Sequence, residues 1–64
     1  MPLEQEQITR ILQSASDSLT LVQITDALNK QRKRPQPYTY DDVRGYLEQM
    51  DEVHESRGTY CMKG

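Results

Sequence analysis

The densest chemistry in this sequence is a run of cations, Lys30, Arg32, Lys33 and Arg34, closed by Pro35 and Pro37. Cations at this spacing can follow a phosphate backbone, where each neutralised phosphate releases condensed counterions. The plainer alternative is a solvated loop whose charges partly cap the helix before it. Arg44, Arg57 and Lys63 are the further cations that such a contact would recruit. Against them stand Asp41, Asp42, Glu48 and Glu52, grouped around Arg44. These carboxylates repel phosphates, and base edges are read mainly by Arg, Lys, Asn and Gln. The same acidic residues suit a basic protein surface, with Asp41, Glu48 and Glu52 as the contact residues.

The remaining reactive side chains form no catalytic constellation. Cys61 and His54 are the only residues of their kinds, too few for a structural zinc site, which usually has four protein ligands. As a nucleophile and base they lack a third group to orient them. Neither a Gly-rich phosphate loop nor a spaced carboxylate pair is present. The expectation is a non-enzymatic chain without metal, cofactor or small-molecule substrate. Tyr38, Tyr40, Tyr46 and Tyr60 could stack on bases. In a chain with no Phe or Trp, most of them are needed as packing area.

Size and composition agree with a binding role. A chain of 64 residues makes one small domain, 1–64, which buries only roughly 60% of its unfolded surface. That leaves little volume for a deep pocket. The net charge of −2 argues against tight nucleic-acid binding, because strong binders carry a basic footprint. One cysteine excludes an internal disulfide and suits a reducing compartment. With no signal-like start and no long apolar run, the expected location is intracellular. It would be the nucleus in a eukaryote, where the cationic run reads as a localisation signal, and the cytoplasm otherwise.

Four elements must position these residues. Leu3, Ile8, Ile11, Leu12 and Ala15 recur at helical spacing, with Gln5, Glu6, Thr9, Arg10 and Gln13 opposite, which predicts a helix over 3–14. Thr20 and Gln23 form a capping box, and Leu19 and Ile24 a hydrophobic staple. They start a second helix that buries Leu21, Ile24, Ala27 and Leu28 and runs to Lys30 or Gln31. The prolines then force an extended loop. A third helix starts at Thr39, with Tyr38 and Val43 as its staple and Val43, Leu47 and Met50 facing inward. Its outward positions are Asp41, Arg44, Gly45, Glu48 and Glu52. Val53–Ser56 and Thr59–Met62 read as strands. The Arg57–Gly58 pair between them is a poor two-residue hairpin turn, which points to a longer or bulged connection. Leu12, Ile24, Leu28, Val43, Leu47, Met50 and Tyr60 are expected to share one core.

Three helices followed at once by a hairpin resemble the winged helix-turn-helix superfamily. The likeness rests on the capped start Ser18-Leu19-Thr20-Leu21, the inward Val43, Leu47 and Met50, and the close Arg57-Gly58-Thr59-Tyr60-Cys61-Met62. It extends to the small winged helices of MCM-type replicative helicases and of general transcription factor subunits, groups that include acidic members without DNA binding. The resemblance implies an α+β fold: a three-helix bundle, a C-terminal β-hairpin wing, and a short strand near Leu19 beside the wing. It also implies a module of replication or transcription machinery. The favoured expectation is weak, backbone-directed contact with double-stranded DNA through Lys30, Arg32, Lys33, Arg34, Arg44, Arg57 and Lys63. The other expectation is a protein-interaction module that docks a partner through the acidic third helix. One departure from the family is the connection between the second and third helices, longer than the roughly 3–4-residue turn of a tight helix-turn-helix.

Overall fold

A computed structural model describes residues 3–15, 17–32 and 34–63. It is an α+β arrangement of three helices and a three-stranded antiparallel sheet. The order is α1 (Leu3–Ser14), β1 (Leu19–Thr20), α2 (Leu21–Gln31), α3 (Tyr40–Glu48), β2 (Val53–Ser56) and β3 (Thr59–Met62). No helix among the described residues is long and apolar enough to cross a membrane.

Local chemistry sets the helix starts. Thr20 Oγ1 accepts from the Gln23 amide at 3.2 Å, and the Thr20 amide donates to Gln23 Oε1 at 2.9 Å. Thr39 and Asp42 repeat the exchange at the head of α3, at 3.1 and 3.2 Å. Each box satisfies helix-end amides that would otherwise lack partners. Below the caps, Ile8, Ile11, Leu12, Ile24, Leu28, Tyr38, Val43, Leu47 and Met50 form one buried cluster. Leu19, Leu21, Ala27, Tyr46, Val53, Tyr60 and Met62 pack against it half-buried. Tyr60 therefore lines the core rather than belonging to it, and Leu21 and Ala27 do the same on α2.

Two positions of α1 depart from the sequence expectation. Gln5 is 7% exposed, while Leu3 is 48% exposed. At about 100° per residue, Gln5 is nearly in phase with Leu12, and Leu3 lies opposite it. Helical phase outweighs side-chain polarity at both sites. At the other end of the bundle α3 stops at Glu48. The Met50 amide donates to the Leu47 carbonyl at 3.1 Å, so Met50 enters the core beyond the helix. Glu52 lies in the following turn, off the α3 face where the sequence placed it.

The sheet order is β1-β3-β2, with Leu19 opposite Tyr60 and Thr20 opposite Thr59. The β2–β3 connection is a two-residue turn after all, with Arg57 at φ 54° and Gly58 at φ 81°. Two successive left-handed residues match the right-handed strand twist. Arg57 tolerates this conformation, and the register Ser56–Thr59 leaves no room for another residue.

Two substitutions test this arrangement in denaturant melts. Leu47→Ala, at a site 3% exposed, should cost about 2–5 kcal/mol. A Cβ on Gly58 would meet nothing within 4 Å. The cost of Gly58→Ala, about 1–2 kcal/mol, should come from its left-handed backbone alone.

Candidate functional site

The loop 32–39 joins α2 to α3 and decides which charges face solvent. Pro35 and Pro37 bring no amide hydrogens, so the chain between the helices must be held by side chains. Asn29, in the last turns of α2, does this. Its Oδ1 accepts from the Tyr38 amide at 2.7 Å, and its Nδ2 donates to the Tyr38 carbonyl at 3.2 Å. The Tyr38 ring is 3% exposed and meets Tyr46 edge-on, with centroids 6.4 Å apart at 78°. Its hydroxyl donates to Glu4 Oε2 at 3.2 Å. Arg34 lies over the ring, its Cζ 4.2 Å from the centroid, a cation–π distance.

Glu4 also draws in Arg32, whose Nη1 stands 3.8 Å from Glu4 Oε2. That nitrogen is out of water and has no hydrogen-bond partner among the described residues. The Glu4 carboxyl is held below its ordinary value of 4.5, first by its own backbone amide and then by the Tyr38 hydroxyl, Arg32 and Arg34, while burial opposes them. Burial pushes the Tyr46 phenol up from 10.0, with Glu4 adding to the effect.

The expected DNA-contact residues are therefore dispersed. Lys30 is exposed in the last turn of α2. Arg32 is half-buried against Glu4, and Arg34 is stacked on Tyr38. Lys33 lies outside the described residues. Arg44 Nε pairs with Glu48 Oε1 at 3.3 Å on the α3 surface. Arg57 sits exposed in the hairpin turn, and Lys63 is exposed just past β3. The turn adjoins Thr59, which pairs with Thr20 at the head of α2. Arg57 and the 30–34 loop thus lie at opposite ends of an 11-residue helix, about 16 Å long at 1.5 Å per residue. Among the described residues no single cationic patch gathers them.

The α3 surface differs in character. Tyr40 is 51% exposed, and Asp41, Asp42, Arg44 and Glu48 are exposed beside it. Asp42 is occupied by its cap, and Glu48 by Arg44. Next to the first turn of α3 runs a groove of about 350 Å³ lined by Thr25, Asp26, Asn29, Pro37, Tyr38, Thr39 and Tyr40. A depression of about 250 Å³ beside α1 is lined by Glu6, Thr9, Arg10, Gln13 and Glu52, where Arg10 offsets the carboxylates. His54 faces Cys61 across the β2–β3 pair, on an open strand surface away from both depressions. Among the described residues no three metal-binding side chains come together.

Sequence reasoning missed Glu4, Asn29 and the groove. Tyr38 and Glu4 are 34 positions apart, beyond any helical or strand periodicity. Asn29 had one available signal: a proline-bearing loop needs side-chain partners for its backbone. No protein-family model matches the chain, and no curated protein or solved structure matches it significantly.

The depressed Glu4 carboxyl has a stability consequence. A group whose folded pKa lies below its unfolded value stabilises the fold above the unfolded value and loses that contribution as pH falls through the folded one. Wild type should therefore lose more of its melting temperature than Glu4→Gln between pH 7 and the range below 4.5. Equal losses would mean that Glu4 titrates as a free surface carboxyl.

Proposed function

We propose that this chain is a non-catalytic winged-helix module whose working surface is the face of α3, and that it docks a basic segment of a partner protein. The observation that carries this reading is the contrast between the two charged regions. In the loop after α2, Arg32 is engaged by Glu4 and the exposed Arg34 lies over Tyr38, while α3 exposes Tyr40 and Asp41 with no internal partner among the described residues. Aromatic side chains such as an exposed tyrosine are enriched at protein interfaces, and the adjacent Asp41 supplies charge complementary to a basic segment. The winged-helix assignment draws on the element order and on a central β3 flanked by β1 and β2. An intracellular setting, consistent with a single free Cys61, is part of the same proposal.

Duplex DNA contact is the second reading, favoured by the exposure of Lys30, Arg57 and Lys63, which have no ion pair among the described residues. It would be backbone-directed, since α3 offers base edges mainly carboxylates.

A pair of chemical-shift titrations at low salt decides between them, one with an octalysine peptide and one with a 15-base-pair duplex. The docking reading expects octalysine to shift α3 amides, an effect weakened by Asp41→Asn with Glu48→Gln, and the duplex to leave them unmoved. Duplex binding with a salt slope of about −0.9 per phosphate, reduced by Arg57→Gln, and no response to octalysine would overturn it.

A further inference from the structure

We propose that the groove between α2 and the first turn of α3 is a receptor for one cationic side chain, a lysine or arginine of the docked segment. The inference rests on the docking reading and assigns the pocket within it.

The groove's chemistry is one-sided. Asp26 is exposed on its α2 wall and forms no ion pair or hydrogen bond with any described residue. The Tyr38 carbonyl and Asn29 Oδ1 are further acceptors, each already taking one hydrogen bond and each with a second lone pair. Thr25 is 2% exposed and contributes to the lining, and its hydroxyl has no partner among the described residues. Among the described residues no Lys or Arg lines the groove. Acceptors and a carboxylate without a cation favour a donor-rich, positively charged guest.

Shape and apolar surface agree. About 350 Å³ holds one long side chain but not a folded element. Tyr40, 51% exposed at the rim, offers a ring face to a cation or its methylene stem. Val22, 47% exposed, lies one turn before Thr25 and Asp26 on α2 and offers apolar surface next to them. Of the three described large apolar side chains most open to solvent, Leu3, Val22 and Tyr40, Tyr40 lines this groove. The Asn29–Tyr38 hydrogen bonds hold its far wall in place before any guest arrives, so little ordering is needed on binding.

The test repeats the octalysine titration on wild type, Asp26→Asn, Tyr40→Ala, and the Asp41→Asn/Glu48→Gln pair, with octaarginine as a second probe and octaglutamate as a control. Thermal melts confirm that each variant is folded; Asp26 and Tyr40 are exposed, and their loss leaves the core intact. The inference expects the largest shifts at Val22, Thr25, Asp26, Asn29 and Tyr40, with either cationic peptide. Asp26→Asn and Tyr40→Ala should each weaken binding about fivefold or more, in line with loss of one charge-assisted or cation–π contact. Shifts centred on Asp41 and Glu48, with affinity unchanged in Asp26→Asn, would overturn the groove and leave docking through α3 standing. No response to either cationic peptide would overturn both. Equal shifts from octaglutamate would also sink the inference, because the groove would then not select charge.

Discussion

The side chain of Asn29 closes on both backbone polar groups of Tyr38, and the course of the chain between α2 and α3 follows from that pair of bonds. A loop carrying two prolines has few amides of its own to offer. Without an outside partner its backbone would be held only by water. Asn29 reproduces the pairing of a strand neighbour with one side chain, and it fixes Tyr38 so that its ring can enter the core. Once Tyr38 is seated, Thr39 falls where its hydroxyl can cap α3, and Val43 and Leu47 follow into the cluster at helical spacing. The start, phase and exposed face of α3 all descend from this one anchoring.

Tyr38 then sorts the charges. Its hydroxyl reaches Glu4 and its ring face receives Arg34, while Glu4 also attracts Arg32. Of the described cations in that segment, Arg32 is thereby drawn half-buried onto α1, while Lys30 and Arg34 stay exposed. The Arg32 contact is long, and the buried nitrogen has no hydrogen bond, so this pairing consumes charge more than it adds stability. Beside the first turn of α3 the uncompensated set is Tyr40 with Asp41 and the open Asp26 wall. The molecule's electrostatic character on that side is acidic for a structural reason and not only because the net charge is −2.

The sheet makes a smaller contribution. β1 contributes two residues, yet it ties the head of α2 to β3 and so orients the hairpin against the bundle. Tyr60 and Met62 cover the core from that side without being fully buried. This is the expected state of a domain that has more core edge than core interior.

Whatever repeats over short spacing could be read from the chain alone. The Thr20–Gln23 capping box, the helix start at Thr39, the helix spans 3–14 and 21–31, the inward Val43, Leu47 and Met50, and the two hairpin strands depend on neighbours within about four positions, where helix and strand periodicity act. Even here the polarity of Gln5 and Leu3 misled, because phase is set by the whole helix docking as one body. The turn at Arg57–Gly58 misled because the register of two strands, not the residue preference of the turn, decides its length. Only the tertiary structure could decide the fate of the cations. The run 30–34 reads as a free positive patch in one dimension. Folding brings Glu4 to Arg32 from 28 positions away and to Tyr38 from 34. Charge on a sequence is a local count, whereas the field a partner meets depends on which charges the fold has already paired.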